Sequence, residues 1–344
     1  MAIGNSLRII VAGALVAAIA AGVRANAQEA PQAIASPSGP HLDFPAGLDT
    51  DGSAVYVASS RNNTITRIDL SGAISIVAGT MSKEGSNDGI GPAALFKSPD
   101  GLTVMGGALY VVDTDNSDIR KIDLASKRVT TIAGAANIAG SENGKGPDAH
   151  FNLPTQICGD GKGVLYVADT NNSEIRKIVL AEMVVSTIGG QAPDGEGNVD
   201  GPPSKSKFNR PRGVATDGKS LYVADTANQV IRKIDLSTNT TTTVAGSGQP
   251  GDANGKGAEA SFNNPEALAT DGATLYIADA DNHAIRKMNL ADGTVSTLTQ
   301  VNGHIGSGMA ISKDGKTLYF SDTTENSIQQ VEISSGNFVT LYPK

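Results

Sequence analysis

Tryptophan is absent, cysteine occurs once and histidine four times in the 344 residues. A single cysteine excludes an intramolecular disulfide framework and any zinc module built on two or more thiolates. It also leaves no C-x-x-C-H haem word and no cysteine cluster for redox chemistry. Charged residues make up only 18% of the chain, and a disordered acidic tail carries far more than that. No sustained heptad survives 40 glycines and 15 prolines, which removes a coiled coil. What the chain has in plenty is small side chains. Its length exceeds the usual single core, so it predicts two domains or one closed all-β or barrel fold.

The first residues read as an address. Arg8 precedes an apolar and small-residue run from Ile9 to Val23, followed by Arg24 and the small-residue word Ala25-Asn26-Ala27. That order predicts a signal peptide over residues 1–27, cleaved after Ala27. The run is 15 residues, short of the roughly 20 needed to cross a bilayer, which disfavours an uncleaved anchor. No cysteine follows it, so a lipoprotein anchor is excluded. Removing these residues takes away two arginines and no acids, moving the formal net charge from −8 to −10. Phosphate backbones select concentrated Lys and Arg, so nucleic acid is not the expected partner, nor is a membrane once the leader is gone. The periplasm or the medium is the expected location. Residues 28–43, rich in Pro, Ala and Ser, predict a flexible lead-in.

The remainder is a repeat. Tyr56, Tyr110, Tyr166, Tyr222, Tyr276 and Tyr319 lie 54, 56, 56, 54 and 43 residues apart, placing six of the seven tyrosines in phase. Phe44, Phe96, Phe151, Phe208 and Phe262 open the first five copies, and His304 stands near the sixth place. Each copy reads as four short strands. In the fourth these are Gly213–Thr216, Leu221–Ala224, Val230–Leu236 and Thr241–Ala245, separated by Asp, Asn and Gly turns. Four strands per copy and six copies predict an all-β fold, a six-bladed β-propeller of four-stranded antiparallel blades over residues 44–344. The blades fall at about 44–95, 96–150, 151–207, 208–261, 262–303 and 304–344, and ring stacking covers faces that one blade cannot bury alone. Ring closure stays open: Phe338–Leu341 completes blade 6 alone, or residues before Phe44 add to it.

The words Pro265 to Leu268, Leu275-Tyr276-Ile277-Ala278-Asp279 and Asn282-His283-Ala284-Ile285-Arg286-Lys287 resemble the NHL repeat family. The linking phrase Gly246 to Phe262, with its Gly-Lys-Gly-x-x-Ala core, resembles bacterial NHL-repeat proteins in particular. The resemblance covers residues 44 to 344 and implies the propeller fold. It leaves activity open, because the family includes partner-binding scaffolds, sensor domains and a few lyases.

Recurring residues carry structural readings. Asp113, Asp169, Asp225 and Asp279 lie three after the repeat Tyr, and Arg120, Arg176, Arg232 and Arg286 lie ten after it. Neighbouring strands could join them as charge-assisted pairs. Blade 1 has Ser59 and Thr66 instead, losing both together, whereas blade 6 keeps Asp322 beside Gln329. A pair needed four times is architecture rather than catalysis. Asn62, Asn116, Asn172, Asn228 and Asn282 belong to turns. Asp194, Glu196, Asn198 and Asp200 alternate as in a calcium loop, but Lys205 stands where that loop needs a bidentate Glu, and Val199 where it needs Gly.

Function is expected where the copies differ. The first strand of each blade opens on Pro-x-Gly or a variant, at the channel mouth. The middle residues there are Ala46, Asp100, Thr155, Arg212, Glu266 and, in the sixth copy, Ser307. Asp100, Thr155, Arg212, Glu266 and Ser307 are therefore the expected ligand-binding set, with Asp100 facing Glu266 across the ring and Arg212 beside Glu266. The short linker between blades 5 and 6 predicts a low rim giving access to Glu266 and Ser307. The leading expectation is a non-enzymatic, monomeric scaffold binding a protein, peptide or glycan. The alternative is a propeller lyase or hydrolase with a metal in the channel. His41, His150, His283 and His304 all fall outside first-strand starts, which disfavours a three-histidine zinc. Calcium on Asp100 and Glu266 is opposed by Arg212. Cys158 has no evident base and reads as a small buried side chain.

Overall fold

The computed structural model describes residues 39–191 and 195–343. The expected signal peptide, residues 28–38 of the lead-in and Asp194 lie outside these. Six antiparallel sheets follow one another along the chain, each built from four strands in chain order. Blade 4 shows the pattern, with strands Val214–Thr216, Ser220–Asp225, Val230–Asp235 and Thr240–Ala245. Side chains alternate across its second strand. Leu221 and Val223 pack with Tyr166 and Ala168 of blade 3, while Tyr222 and Ala224 pack with Leu275 and Ile277 of blade 5. Both sheet faces are thus covered by neighbours, which is why these strands are apolar throughout.

The first strands form the inner ring: Pro45–Thr50, Pro99–Met105, Ile157–Gly159, Val214–Thr216, Pro265–Thr270 and Ile305–Ile311. Each touches the next, and the sixth touches the first. Among the described residues no strand is shared between the chain ends. Phe338–Tyr342 completes blade 6, and the seam to blade 1 is made by packing, with Leu48, Val57, Ala310 and Tyr319 in one cluster. Two hydrogen bonds add to it, Ser321 Oγ to the Ala46 carbonyl at 2.7 Å and the Phe44 amide to Asn326 Oδ1 at 2.7 Å. Hydroxyl bonds from another position stitch other seams. Thr114, Thr170 and Thr226, each following the repeat Asp, donate to the carbonyls of Pro154, Pro211 and Pro265 in the next blade, at 2.7–2.9 Å.

Two expectations shift. The linkers belong to the blade that follows them: Gly89–Ile90, Gly144–Lys145 and Gly255–Lys256 add a fifth strand to the outer edges of blades 2, 3 and 5. The added strand covers an edge that would otherwise be open to pairing with another chain. In blade 1 the place of Phe96 is taken by Leu42, not Phe44. Asp43 donates its amide to Ser59 as Lys97 does to Asp113, so the residue before each is the matching one. Leu42 is buried, whereas Phe44 lies in the left-handed region at φ +54°, matching Ser98 at +48°.

Among the described residues one buried acid makes no hydrogen bond. Asp118 is 1% exposed, neither of its carboxylate oxygens finds a hydrogen bond, and Arg120 Nε stands 4.0 Å away. Burial, then the neighbouring Asp113 charge, push its pKa far above the carboxylate range. An acid whose folded pKa is raised stabilises less as pH climbs from its unfolded value through the folded one. Asp118→Val, placing there what blade 4 has in Val230, is expected to raise stability at neutral pH by about 1 kcal/mol or more. Urea unfolding between acidic and mildly alkaline pH should show a flatter profile for the variant; an unchanged profile would contradict this account.

Candidate functional site

In blades 2–5 the recurrent Asp and Arg meet and do more than pair. In blade 4, Arg232 Nη1 donates to Asp225 Oδ2 at 2.7 Å and to the Lys207 carbonyl at 3.0 Å. Its Nη2 donates to the Val199 carbonyl at 2.8 Å and to Asp200 Oδ1 at 2.7 Å. The guanidinium also lies 4.9 Å from the Phe208 ring centre, within cation–π range. Asp225 holds Asn228 at 2.9 Å through Oδ2 and the Asn209 amide at 2.8 Å through Oδ1. Asp113–Arg120, Asp169–Arg176 and Asp279–Arg286 repeat the arrangement at 2.7–2.8 Å. The unit is a clamp that fastens the incoming linker onto its blade. Asp200, one of the calcium-loop residues, is spent on Arg232 and on Thr243 Oγ1 at 3.1 Å.

Among the residues chosen at the channel mouth, three contacts join different blades. Arg212 Nη1 lies 2.6 Å from Glu266 Oε1, which Asn264 Nδ2 also reaches at 2.9 Å. Ser307 Oγ donates to Asp100 Oδ1, linking blades 6 and 2 past the small Ala46 of blade 1. Asp100 and Glu266 do not face each other as a pair; each acid has its own partner. Thr155 turns to Thr170 Oγ1 at 2.7 Å and to the Arg212 carbonyl at 3.4 Å.

The residue that the sequence reading passed over is Gln156. It stands where blades 1, 2, 4 and 6 have Gly47, Gly101, Gly213 and Gly308. Its Nε2 donates to the Ser307 carbonyl of blade 6, on the opposite side of the ring. The signal was available as the one large side chain in a glycine column. At the glycines the backbones nearly touch: a Cβ on Gly101 would stand 2.4 Å from the Thr155 carbonyl oxygen. Below the Gln156 bridge the channel is a cavity of about 210 Å³, walled by Leu48, Leu102, Ile157, Val214, Leu268 and Met309 of the six blades.

The mouth has one group poised to titrate. Burial pushes the Asp100 carboxyl up to about 6, against the opposing pull of the Ser307 hydroxyl and the Arg212 charge; Glu266 adds a smaller upward push. Stability from this group is therefore full below its unfolded value and is lost as pH rises through 6. Asp100→Asn is expected to remove a proton uptake near pH 6, read by carboxyl-carbon NMR. A native titration near 4, the ordinary value, would refute it.

Among the described residues no three His, Cys, Asp or Glu side chains stand together as a metal would require. Burial raises the Cys158 thiol far above neutrality, so no thiolate nucleophile forms there. The short linker to blade 6 does leave a gap, but the gap opens onto Phe320, Asp322, Gln329 and Phe338, away from Glu266 and Ser307.

No protein-family model matches the chain. Human NHL repeat-containing protein 2 is 28% identical over 303 residues, covering 62% of this chain and 42% of that protein. The chain spans less than half the length of the curated relatives it matches. Among solved structures, an auxiliary nutrient binding protein from Bacteroides thetaiotaomicron superposes with TM-score 0.61 at 12% identity, covering 84% of this chain and 69% of that one. Virginiamycin B lyase from Staphylococcus aureus gives 0.51 at 14% identity, covering 88% and 85%. At such identities these structures share the fold alone. Six sheets ringed about one axis and a tyrosine-phased repeat in every blade make this chain a six-bladed β-propeller whose repeats are similar to those of NHL repeat-containing protein 2.

Proposed function

We propose that the chain is an exported interaction module that engages a protein, peptide or glycan through its loop-bearing face, around the channel mouth. The observation that carries this reading is the convergence of unlike polar side chains from separate blades. Arg212 with Glu266, and Asp100 with Ser307, gather beside the Gln156 bridge on an otherwise repetitive ring. The Arg212 side chain is 40% exposed and offers the mouth's free donors. Because the fold hosts both a binding protein and a lyase, it selects neither. The residues favour binding: among the described residues none of the four histidines hydrogen-bonds to Asp100, Thr155, Arg212, Glu266 or Ser307, and the two mouth acids are each engaged by another blade. Export rests on Arg8, the apolar run and Ala25-Asn26-Ala27.

The test is a peptide and glycan array probed with the purified chain, repeated with Arg212→Ala and Glu266→Ala. Binding lost in either variant supports the mouth as the site. Binding indifferent to both removes it, and turnover of an array component would favour an enzyme. Fractionation of cells expressing the full chain tests export, which an intact, cytoplasmic product would refute.

A further inference from the structure

Blade 6 lacks the clamp that blades 2–5 share, at several members together. Gln329 pairs with Thr340 in the register where Arg232 pairs with Thr243, so it stands in the arginine's place. The His304 carbonyl accepts the Thr323 amide at 3.0 Å as the Asn264 carbonyl accepts that of Ala280 at 3.3 Å, and Ile305 pairs with Asp322 as Pro265 does with Asp279. This sets Asn302 where blade 5 has Phe262. The linker is short. One member survives: Asp322, 6% exposed, whose Oδ1 accepts the Thr324 and Glu325 amides at 3.0 and 3.2 Å. Among the described residues no donor reaches its Oδ2, the oxygen that holds arginine in the sister blades.

Where guanidinium, phenyl ring and linker would lie there is a cavity of about 290 Å³. Its walls include Asp322, Glu325, Gln329, Phe320 and Phe338, and no Lys or Arg. The two rings meet edge to face at 6.3 Å. With no linker to hold, Thr340 Oγ1 turns to Gln329 Oε1 at 3.0 Å. The outer strand Phe338–Tyr342 has no fifth strand on its edge among the described residues, unlike those of blades 2, 3 and 5, and Val339 there is 59% exposed.

We propose that this cavity receives the arginine that blade 6 lacks from an extended segment of a partner protein, which pairs along the open edge of Phe338–Tyr342. The edge supplies backbone hydrogen bonds, as in strand addition. The acids supply the charge and the rings a stacking face, as Asp and Phe do in blades 2–5. This site is separate from the channel mouth.

Calorimetric titration of the full chain with acetyl-Val-Thr-Arg-Thr-Val-amide is expected to show saturable one-to-one binding. The citrulline counterpart, uncharged and nearly isosteric, is expected to bind about tenfold or more weaker, the difference made by one charge-assisted pair. Gln329→Arg, which returns a guanidinium from within, is expected to abolish binding and raise the melting temperature. Asp322→Asn is expected to lose binding too, while Arg212→Ala leaves it unchanged, so failure here and failure of the mouth reading are told apart. No binding by the native chain, or equal binding by the citrulline peptide or the Gln329→Arg variant, overturns the proposal.

Discussion

Arg232→Met is expected to destabilise the propeller by about 3–5 kcal/mol, because it strips the partner from a fully buried carboxylate. The loss is compounded elsewhere. The Val199 and Lys207 carbonyls and Asp200 each lose the arginine as a donor at one stroke, and the linker loses that fastening. The double variant Arg232→Thr with Asp225→Ser copies blade 1, where Thr66 donates to the Val57 carbonyl at 3.2 Å and Ser59 accepts the Asp43 amide at 2.8 Å. It is expected to cost no more than Arg232→Met, since no bare charge remains. Urea unfolding followed by far-ultraviolet circular dichroism measures both; a single variant within about 1 kcal/mol of native, the scale of an exposed ion pair, would show that the clamp is ornamental.

Gly308→Ala is expected to cost about 3 kcal/mol, toward the upper end for an overpacked core. Its added methyl would stand 2.2 Å from the Ala46 carbonyl oxygen and 2.6 Å from the Leu48 amide nitrogen. Both are backbone atoms, and no side-chain rotation relieves the overlap. The collision falls on the seam between blades 6 and 1, so the two blades must separate locally. Limited proteolysis should then cut the terminal blades before the middle ones. A variant that melts and cleaves as the native chain does would mean that the first strands slide freely past one another.

Blade count and strand order were legible because a tyrosine phase of roughly constant length fixes both without reference to contacts. The Asp–Arg pairs were legible for a similar reason: their joint loss in blade 1 marks mutual dependence. The linker's attachment was not. It depends on backbone carbonyls meeting a guanidinium across the blade, and carbonyls leave no trace in residue identity. At the mouth, the middle residues of Pro-x-Gly marked the right place. Arg212 beside Glu266 followed from the adjacency of blades 4 and 5; Asp100 with Ser307 did not, because ring opposition predicts Asp100 against Glu266 while side-chain length and the gap at Ala46 decide otherwise. Gln156 was missed by reading the variable column and passing over the glycine column beside it, where an exception carries more steric consequence. Phe44 misled because identity was matched in place of backbone frame; Leu42 keeps the frame.

Among the described residues the ring meets itself by surface packing and a few hydrogen bonds, with no strand shared between its ends. A load pulling the two ends of the propeller apart would therefore peel the sixth unit from the first row by row, instead of shearing a whole ladder of backbone bonds at once. The rupture force should be set by the rate at which that seam opens, and the break should fall there first.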